Sequence, residues 1–327
     1  MERFIAVEIQ KFRGTMRDLT FDVFLKVSGD HYAHVFSRST GVDYQRLEKY
    51  IFRGVKELYI RENDYEIYKN YSKVTAATVF TDPALTQEKR VSALLNMTEQ
   101  NLAEIFTRFS VDEQAAQQSR TLVQGYVGLM SSEPQTLAMI LKLVSYGNYL
   151  YYHAVAVSVF SLLLARALGQ FDSKLLEIIG MGGFLHDIGR TQLPQEINES
   201  ARSFTPEEWK IMRSHPKLGL DMLQDAKKIP DEVRYIVYQH HEQPGGGGYP
   251  NALRGPVIYP PARIVSICDS FSALISARPF RKAYSVDEAL KIMQGESGKF
   301  DKILIQTMRT VFAHRLSEPV TPTGQAA

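Results

Sequence analysis

Five of the eight histidines in this 327-residue chain fall between residues 153 and 241, in the order His153, His186, His215, His240 and His241. Asp187 follows His186 directly, and Asp269 lies further on in a segment of helical texture. Neutral imidazole nitrogens and carboxylate oxygens gathered in one stretch are donors suited to first-row divalent cations, and they have the makings of a two-metal hydrolytic site. Each residue alone has a plainer reading. His153, at the start of AVAVSVFSLLLARALG, would ordinarily be a satisfied core residue, and the pair His186-Asp187 by itself is a weak signal. The ordered set shifts that balance. His31 and His34 stand outside it, without a carboxylate cluster near them in sequence, and read as surface or strand histidines.

Helices must bring these donors together. After Asp172-Ser173, the apolar run LLEIIGMGGFL leads into His186-Asp187-Ile188-Gly189, where a helix end can present an imidazole and a carboxylate to one ion while glycine lets the chain turn away. Gly169 suits the stop of the preceding helix. Thr205-Pro-Glu-Glu208 is a capping box, which predicts a helix running to His215, where Pro216 interrupts it. Asp231 and Glu232 suit the first turn of another helix, which turns Ile236 and Val237 inward and delivers His240 and His241 at its C-terminal end.

Upstream the texture changes. FIAVEI, FDVFLKV and HYAHVFSR read as strands, DYQRLEKYIFRGV sets Tyr44, Leu47, Tyr50 and Ile51 on one helical face, and KELYIREND offers a further strand. Residues 1–80 are expected to form a small α/β module with a regulatory role. Residues 81–146 read as a helical connector, in which Ser132-Glu-Pro-Gln135 is a capping box opening a helix with the stripe Leu137, Ile140, Leu141 and Val144. That stripe suits packing within the chain ahead of packing against a second subunit. The expected fold is mainly α: an all-helical domain over 147–317, preceded by the module and connector and followed by a flexible tail over 318–327.

Composition narrows the classes. A hydrophobic content of 44% can fill a core at this length, with room for two domains. The 38 basic and 36 acidic residues leave a formal charge of +2, too little for a large nucleic-acid footprint. A lone Cys268 excludes an intrachain disulfide and zinc-finger ligation, and fits a reducing compartment. The opening MERFIAVEIQKFR lacks a signal peptide's apolar core, and the best apolar run, Ala154 to Ala165, is about 12 residues against the roughly 18 that mark a span. A cytoplasmic chain without a membrane span is the expectation.

The motifs HDIGR, SFTPEEWKIMRSHPKLGLDML, HHEQPGGGGYP and ARIVSICDSFSALISARPFRKAYS occur in this order across residues 147 to 315. Together they resemble the HD-GYP family of bacterial phosphodiesterases, the all-helical subset of the HD superfamily that hydrolyses cyclic di-GMP with a metal centre commonly holding iron or manganese. The resemblance implies that His153, His186, Asp187 and Asp269 bind one ion and that Asp187, His215, His240 and His241 bind the other, with Asp187 bridging at the catalytic heart. A phosphodiester anion resists neutral water. Two metals about 4 Å apart would lower the pKa of a shared water and clamp the phosphoryl group. Donors without thiolate place iron first and manganese second for the two divalent ions.

For substrate contacts, Arg190 replaces the family's lysine and could pair with a phosphate oxygen bidentately. Arg278, Arg281 and Lys282 match the family's phosphate-contacting segment, although such a cluster is more often a solvated face. Gly248 and Tyr249 belong to the signature loop, where glycine allows close backbone approach.

The sequence departs from the family pattern in places. Gly245 takes an aspartate's position, leaving four glycines in a row and predicting a looser loop with no acidic anchor. Ser272 replaces the second aspartate of DxxDAL. Tyr149 stands where some members carry a carboxylate for a third metal, so a two-metal centre is expected. Three functions fit: hydrolysis of cyclic di-GMP to pGpG and on to GMP, hydrolysis of another cyclic dinucleotide or nucleotide phosphate ester, or a metal-holding binding and interaction module without turnover. A second copy of the chain or a signalling protein would be the macromolecular partner.

Overall fold

A computed structural model of the protein describes residues 2–12, 19–29, 31–40, 42–72, 86–108, 111–132, 149–170, 172–198, 202–277 and 281–312. The chain divides into two units, Met1–Gln100 and Asn101–Ala327.

The first unit is built on an antiparallel sheet of strands β1 (Phe4–Glu8), β2 (Val23–Ser28), β3 (His31–Phe36) and β4 (Glu57–Arg61), in the order β1-β4-β2-β3. Strand alternation sends Val7, Val23, Val35, Leu58 and Ile60 to one face, where they are buried with Leu47 of α1 (Tyr44–Phe52) and Tyr68 of α2 (Tyr65–Ser72). Asp43 starts α1, its carboxylate accepting from the Arg46 backbone N–H at 3.0 Å. The predicted strands and helix therefore form, and Tyr50 and Ile51 pack on the core beside Leu47 as their spacing requires. His34 meets Asp22 at 3.3 Å and His31 is exposed, in keeping with surface histidines.

Helix α3 (Gln87–Arg108) contains the boundary, and α4 (Glu113–Ser132) follows. Ser132, read from sequence as the cap of a new helix, is the last residue of α4. The helix expected beyond it, with Leu137 to Val144, lies outside the described residues, as does the tail.

The second unit centres on α5 (Tyr149–Ala167) and α6 (Ser173–Leu185), which pack together and are apolar nearly all round. Asp172 caps α6 through the Leu175 N–H at 2.7 Å, and Gly169 ends the preceding segment with φ +85°. After the short α7 (Gln195–Asn198) come α8 (Pro206–Met212), α9 (His215–Met222), α10 (Asp231–Gln239), α11 (Pro260–Ile275), α12 (Val286–Gly295) and α13 (Lys302–Phe312). Helix α10 lies on α6, and α11 on α5. Phe160, Phe271 and Phe312 tie α5, α11 and α13 together, with ring centroids 5.0–5.4 Å apart. No described helix is long and apolar enough to cross a membrane.

One helix boundary differs from expectation. The capping box at Thr205 forms, but α8 stops at Met212, and His215 opens a new helix with Pro216 in its first turn. A proline there removes no intrahelical hydrogen bond, so it starts α9 instead of breaking α8.

Candidate metal centre

The donors come from five places in the second unit. His153 lies near the start of α5, His186 caps the C-terminus of α6 with Asp187 next to it, and His215 begins α9. His240 caps α10, followed by His241, and Asp269 sits within α11. Their donor atoms fall into two groups, Asp187 with His215, His240 and His241, and His153 with His186 and Asp269, each within 4.8 Å of one another. Asp187 reaches both: Oδ1 is 3.2 Å from His215 Nε2, and Oδ2 is 3.6 Å from His186 Nε2. Asp269 Oδ1 is 3.0 Å from His153 Nε2, and Oδ2 is 4.0 Å from His241 Nδ1.

Close backbone packing makes this convergence feasible. A Cβ on Gly189 would lie 2.0 Å from the His215 carbonyl oxygen and 2.4 Å from Gly219 N, so only glycine lets the turn after Asp187 rest against the start of α9.

Hydrogen bonding decides what the nitrogens can do. Nδ1 of His186, His215 and His240 each lies 2.8 Å from the carbonyl oxygen three residues earlier, of Gly183, Met212 and Val237. A carbonyl only accepts, so Nδ1 carries the proton and donates. Burial pushes the pKa of His215 and His240 down, although Asp187 partly opposes this, and both rings are neutral with bare Nε2 atoms. His215 Nε2 and His240 Nε2 lie 3.2 Å apart, and with Nδ1 carrying the proton of each neutral ring, each turns a lone pair toward the other. His186 Nε2 is buried without a hydrogen-bond partner. Burial would raise the pKa of Asp187, but the charge around it, the Arg190 guanidinium first, holds it well below the usual carboxylate range. For Asp269, too, the histidines, His153 first, outweigh the effect of burial and keep the group ionised. Converging imidazole nitrogens and two carboxylates, Asp187 buried and Asp269 half-buried, suit divalent cations.

The predicted substrate residues fare differently. Arg190 donates from Nη1 to Asp187 Oδ2 at 3.0 Å, so its guanidinium stands beside the shared carboxylate. Arg281 caps the C-terminal end of α11 instead of offering a free guanidinium: its terminal nitrogens reach the carbonyls of Leu274 and Lys282 at 3.0 and 2.8 Å, and those of Ala273 and Ser276 at 2.8 and 3.4 Å. Lys282 is exposed, and Arg278 lies outside the described residues. Tyr249 stacks on His241 with centroids 4.7 Å apart and planes at 29°. A Cβ on Gly248 would meet Gln243 N at 2.4 Å, showing how tightly the chain folds back there.

The loop has an acidic anchor that sequence reasoning missed. Buried Glu242 accepts the backbone N–H groups of Asn251 and Leu253 at 2.6 and 2.8 Å. Gly245 N donates to Gly298 O at 2.7 Å, and Tyr249 N to His241 O at 3.2 Å. Gly245 and Gly246 are thus held by main-chain bonds, the latter to Gln243 O at 2.7 Å, and the expectation of a loop with no acidic anchor is corrected. Glu242 could have been suspected as an acid directly after two histidines. Ser272 was noted only as a departure, yet its Oγ lies 3.0 Å from His153 Nδ1. Its spacing of three from Asp269 on a helix was the available signal.

Comparison with known proteins agrees with this architecture. The profile of the HD domain family matches residues 136–304. A cyclic di-GMP phosphodiesterase of Pseudomonas aeruginosa is 34% identical over 168 residues, covering 51% of this chain and 40% of that protein. A cyclic di-GMP phosphodiesterase response regulator of Xanthomonas campestris is 35% identical over 138 residues, covering 42% of this chain and 36% of the relative. The chain therefore spans less than half the length of these curated relatives. A solved HDG"Y"P protein from Bdellovibrio bacteriovorus shares the fold, with a TM-score of 0.69 at 24% identity over 94% of this chain and 99% of that one.

Proposed function

The chain belongs to the HD domain family, and from that membership and its two donor groups we propose that it is a metal-dependent phosphodiesterase of the HD-GYP type acting on a cyclic dinucleotide, cyclic di-GMP first. The observation that carries the proposal is the convergence of His215 Nε2 and His240 Nε2, 3.2 Å apart, on the Asp187 carboxylate, 3.2 Å from His215 Nε2. Two like lone pairs in a buried pocket are unfavourable unless a cation lies between them and the carboxylate.

In this proposal His153, His186, Asp187 and Asp269 hold one ion and Asp187, His215, His240 and His241 the other, iron first and manganese second. When bound, the ions supply Lewis acidity, which provides a nucleophile at neutral pH and neutralises charge on the phosphoryl oxygens. The chain's own residues prepare the site. The backbone carbonyls at Gly183, Met212 and Val237 fix the tautomers of three histidines, and Ser272 orients the fourth, His153. Asp187 stays ionised and is shared. Arg190 steadies that carboxylate and stands ready for a phosphoryl oxygen; Tyr249, stacked on His241, closes one side. Opening of the ring yields pGpG, and a second cut yields GMP.

The test is hydrolysis of cyclic di-GMP, cyclic di-AMP and the mixed guanine–adenine dinucleotide by protein reconstituted anaerobically with iron or manganese. The expected result is turnover of cyclic di-GMP to pGpG with two ions per chain. Full metal loading without turnover of any member would leave a binding module in place of an enzyme, and turnover of only another dinucleotide would reassign the substrate.

A further inference from the structure

A second feature adjoins the donor cluster. Phe204, Trp209, Arg213 and Tyr249, with Lys210, line a cavity of about 740 Å³, within the roughly 300–1,000 Å³ typical of small-molecule sites. Three aromatic rings and two cations face it, and among the described residues no carboxylate lines it. Tyr249 joins it to the metal centre: the ring stacked on His241 also lies with its centroid 5.6 Å from the Arg213 guanidinium. That same guanidinium is 5.7 Å from the Trp209 ring. Phe204 meets Trp209 edge-on, at 5.2 Å and 85°, which fixes the indole while leaving it 44% exposed. The nearby acid Glu208 is turned away, accepting from Arg202 at 2.5 and 2.8 Å and from Thr205 N at 2.8 Å. Trp209 and Arg213 lie four residues apart, and His215 follows two residues later, so one capped segment carries both the cavity wall and a donor of the metal centre.

A half-exposed indole beside a planar cation is a poor surface for water and a good one for a flat π-system bearing negative charge nearby. A nucleobase joined to a phosphate has that chemistry: its ring can stack on Trp209 or Tyr249, and its phosphate meets guanidinium or ammonium. We propose that this cavity is a base subsite, taking one purine ring of the substrate through Trp209 and Arg213 while the scissile phosphate lies at the donor cluster. The assignment rests on the function proposed above for the donor cluster but has its own test.

Trp209 is the single tryptophan of the chain, so its emission reports on this cavity alone. The intact protein is titrated with cyclic di-GMP, GMP and ribose 5-phosphate. Saturable quenching is expected with the two guanine compounds and not with ribose 5-phosphate. By calorimetry, Trp209→Ala should weaken cyclic di-GMP binding about tenfold or more, as loss of one base stack does, whereas Trp209→Phe should keep most of the affinity. Circular dichroism and metal content serve as folding controls. Equal quenching by ribose 5-phosphate would make this a phosphate site, and unchanged affinity in Trp209→Ala would remove the subsite altogether. If guanine compounds quench Trp209 and depend on it while the metal-loaded protein hydrolyses no dinucleotide, the base subsite stands and the catalytic proposal falls.

Discussion

Histidine and aspartate meet in both units, with opposite outcomes. In the sheet unit, Asp22 accepts from the Arg38 backbone N–H at 2.8 Å and from Arg61 Nη1 at 3.1 Å, and His34 Nε2 adds a contact at 3.3 Å. Nearby, Arg38 reaches both oxygens of buried Asp64 at 3.1 Å. Each carboxylate there faces groups that carry hydrogens. In the helical unit, Asp187 faces imidazoles whose Nδ1 protons are spent on backbone carbonyls, and among the described residues the guanidinium in direct contact with it is that of Arg190. The same two residue types make a satisfied surface network in one place and an accumulation of lone pairs in the other. The difference lies in where the protons are, and it separates an ion pair from a cation site.

The strongest way to break this comparison is to change the shared carboxylate. Asp187→Asn should cut the bound metal from two ions to one or none and lower phosphodiester hydrolysis on the order of a thousandfold, since a neutral oxygen cannot offset two cations. Elemental analysis and turnover would check it; retained activity in metal-depleted variant protein would defeat the shared-carboxylate account.

Acid should separate the two units next. In the folded, metal-free chain burial depresses the pKa of His153, His215, His240 and His241, so the unfolded chain binds protons first as the pH falls. Their contribution is fully present above about pH 6.5 and is lost below it. Asp22, held low by the Arg38 N–H first, has a contribution that is present above about pH 4 and lost as its carboxylate protonates. Hydrogen exchange of chelated protein should therefore show the helical unit loosening between pH 7 and 5.5 while the sheet keeps its protection. Parallel loss in both units over that interval would contradict the assignment.

A smaller effect is expected at Ser272. Ser272→Ala removes the hydroxyl 3.0 Å from His153 Nδ1 and should weaken one metal site about tenfold, seen by competition with a chelator, with the other site unchanged. Equal affinity at both sites in the variant would show that Ser272 does not orient His153.

Gly245→Asp sharpens the comparison from the side of packing. A Cβ there would come 2.9 Å from Gly298 O and 3.2 Å from Gly298 Cα, so the variant should lose about 1–3 kcal/mol of stability while keeping its metals. An unchanged melting temperature would mean that the two backbones part readily. The smallest effect belongs to exposed His34: His34→Gln should change stability by less than about 0.5 kcal/mol and leave metal content alone. A measurable metal loss would overturn the satisfied-network account of the sheet.

The candidate donors and most of the elements that carry them are legible along the chain. Strand alternation and the capping box at Thr205 are local signals, because hydrogen bonds within a helix and side-chain alternation within a strand span only a few residues. How those donors face one another depends on contacts between distant segments. His153 meets Asp269 across 116 residues and Ser272 across 119, and Gly245 rests on Gly298 through a backbone bond that no periodicity announces. Arg281 shows the converse: its charge and motif position were legible, yet the nearby carbonyls at the end of α11 claim its donors. Which protons are spent, and on what, follows from packing of distant segments, and that packing turns a list of histidines into a site with lone pairs to share.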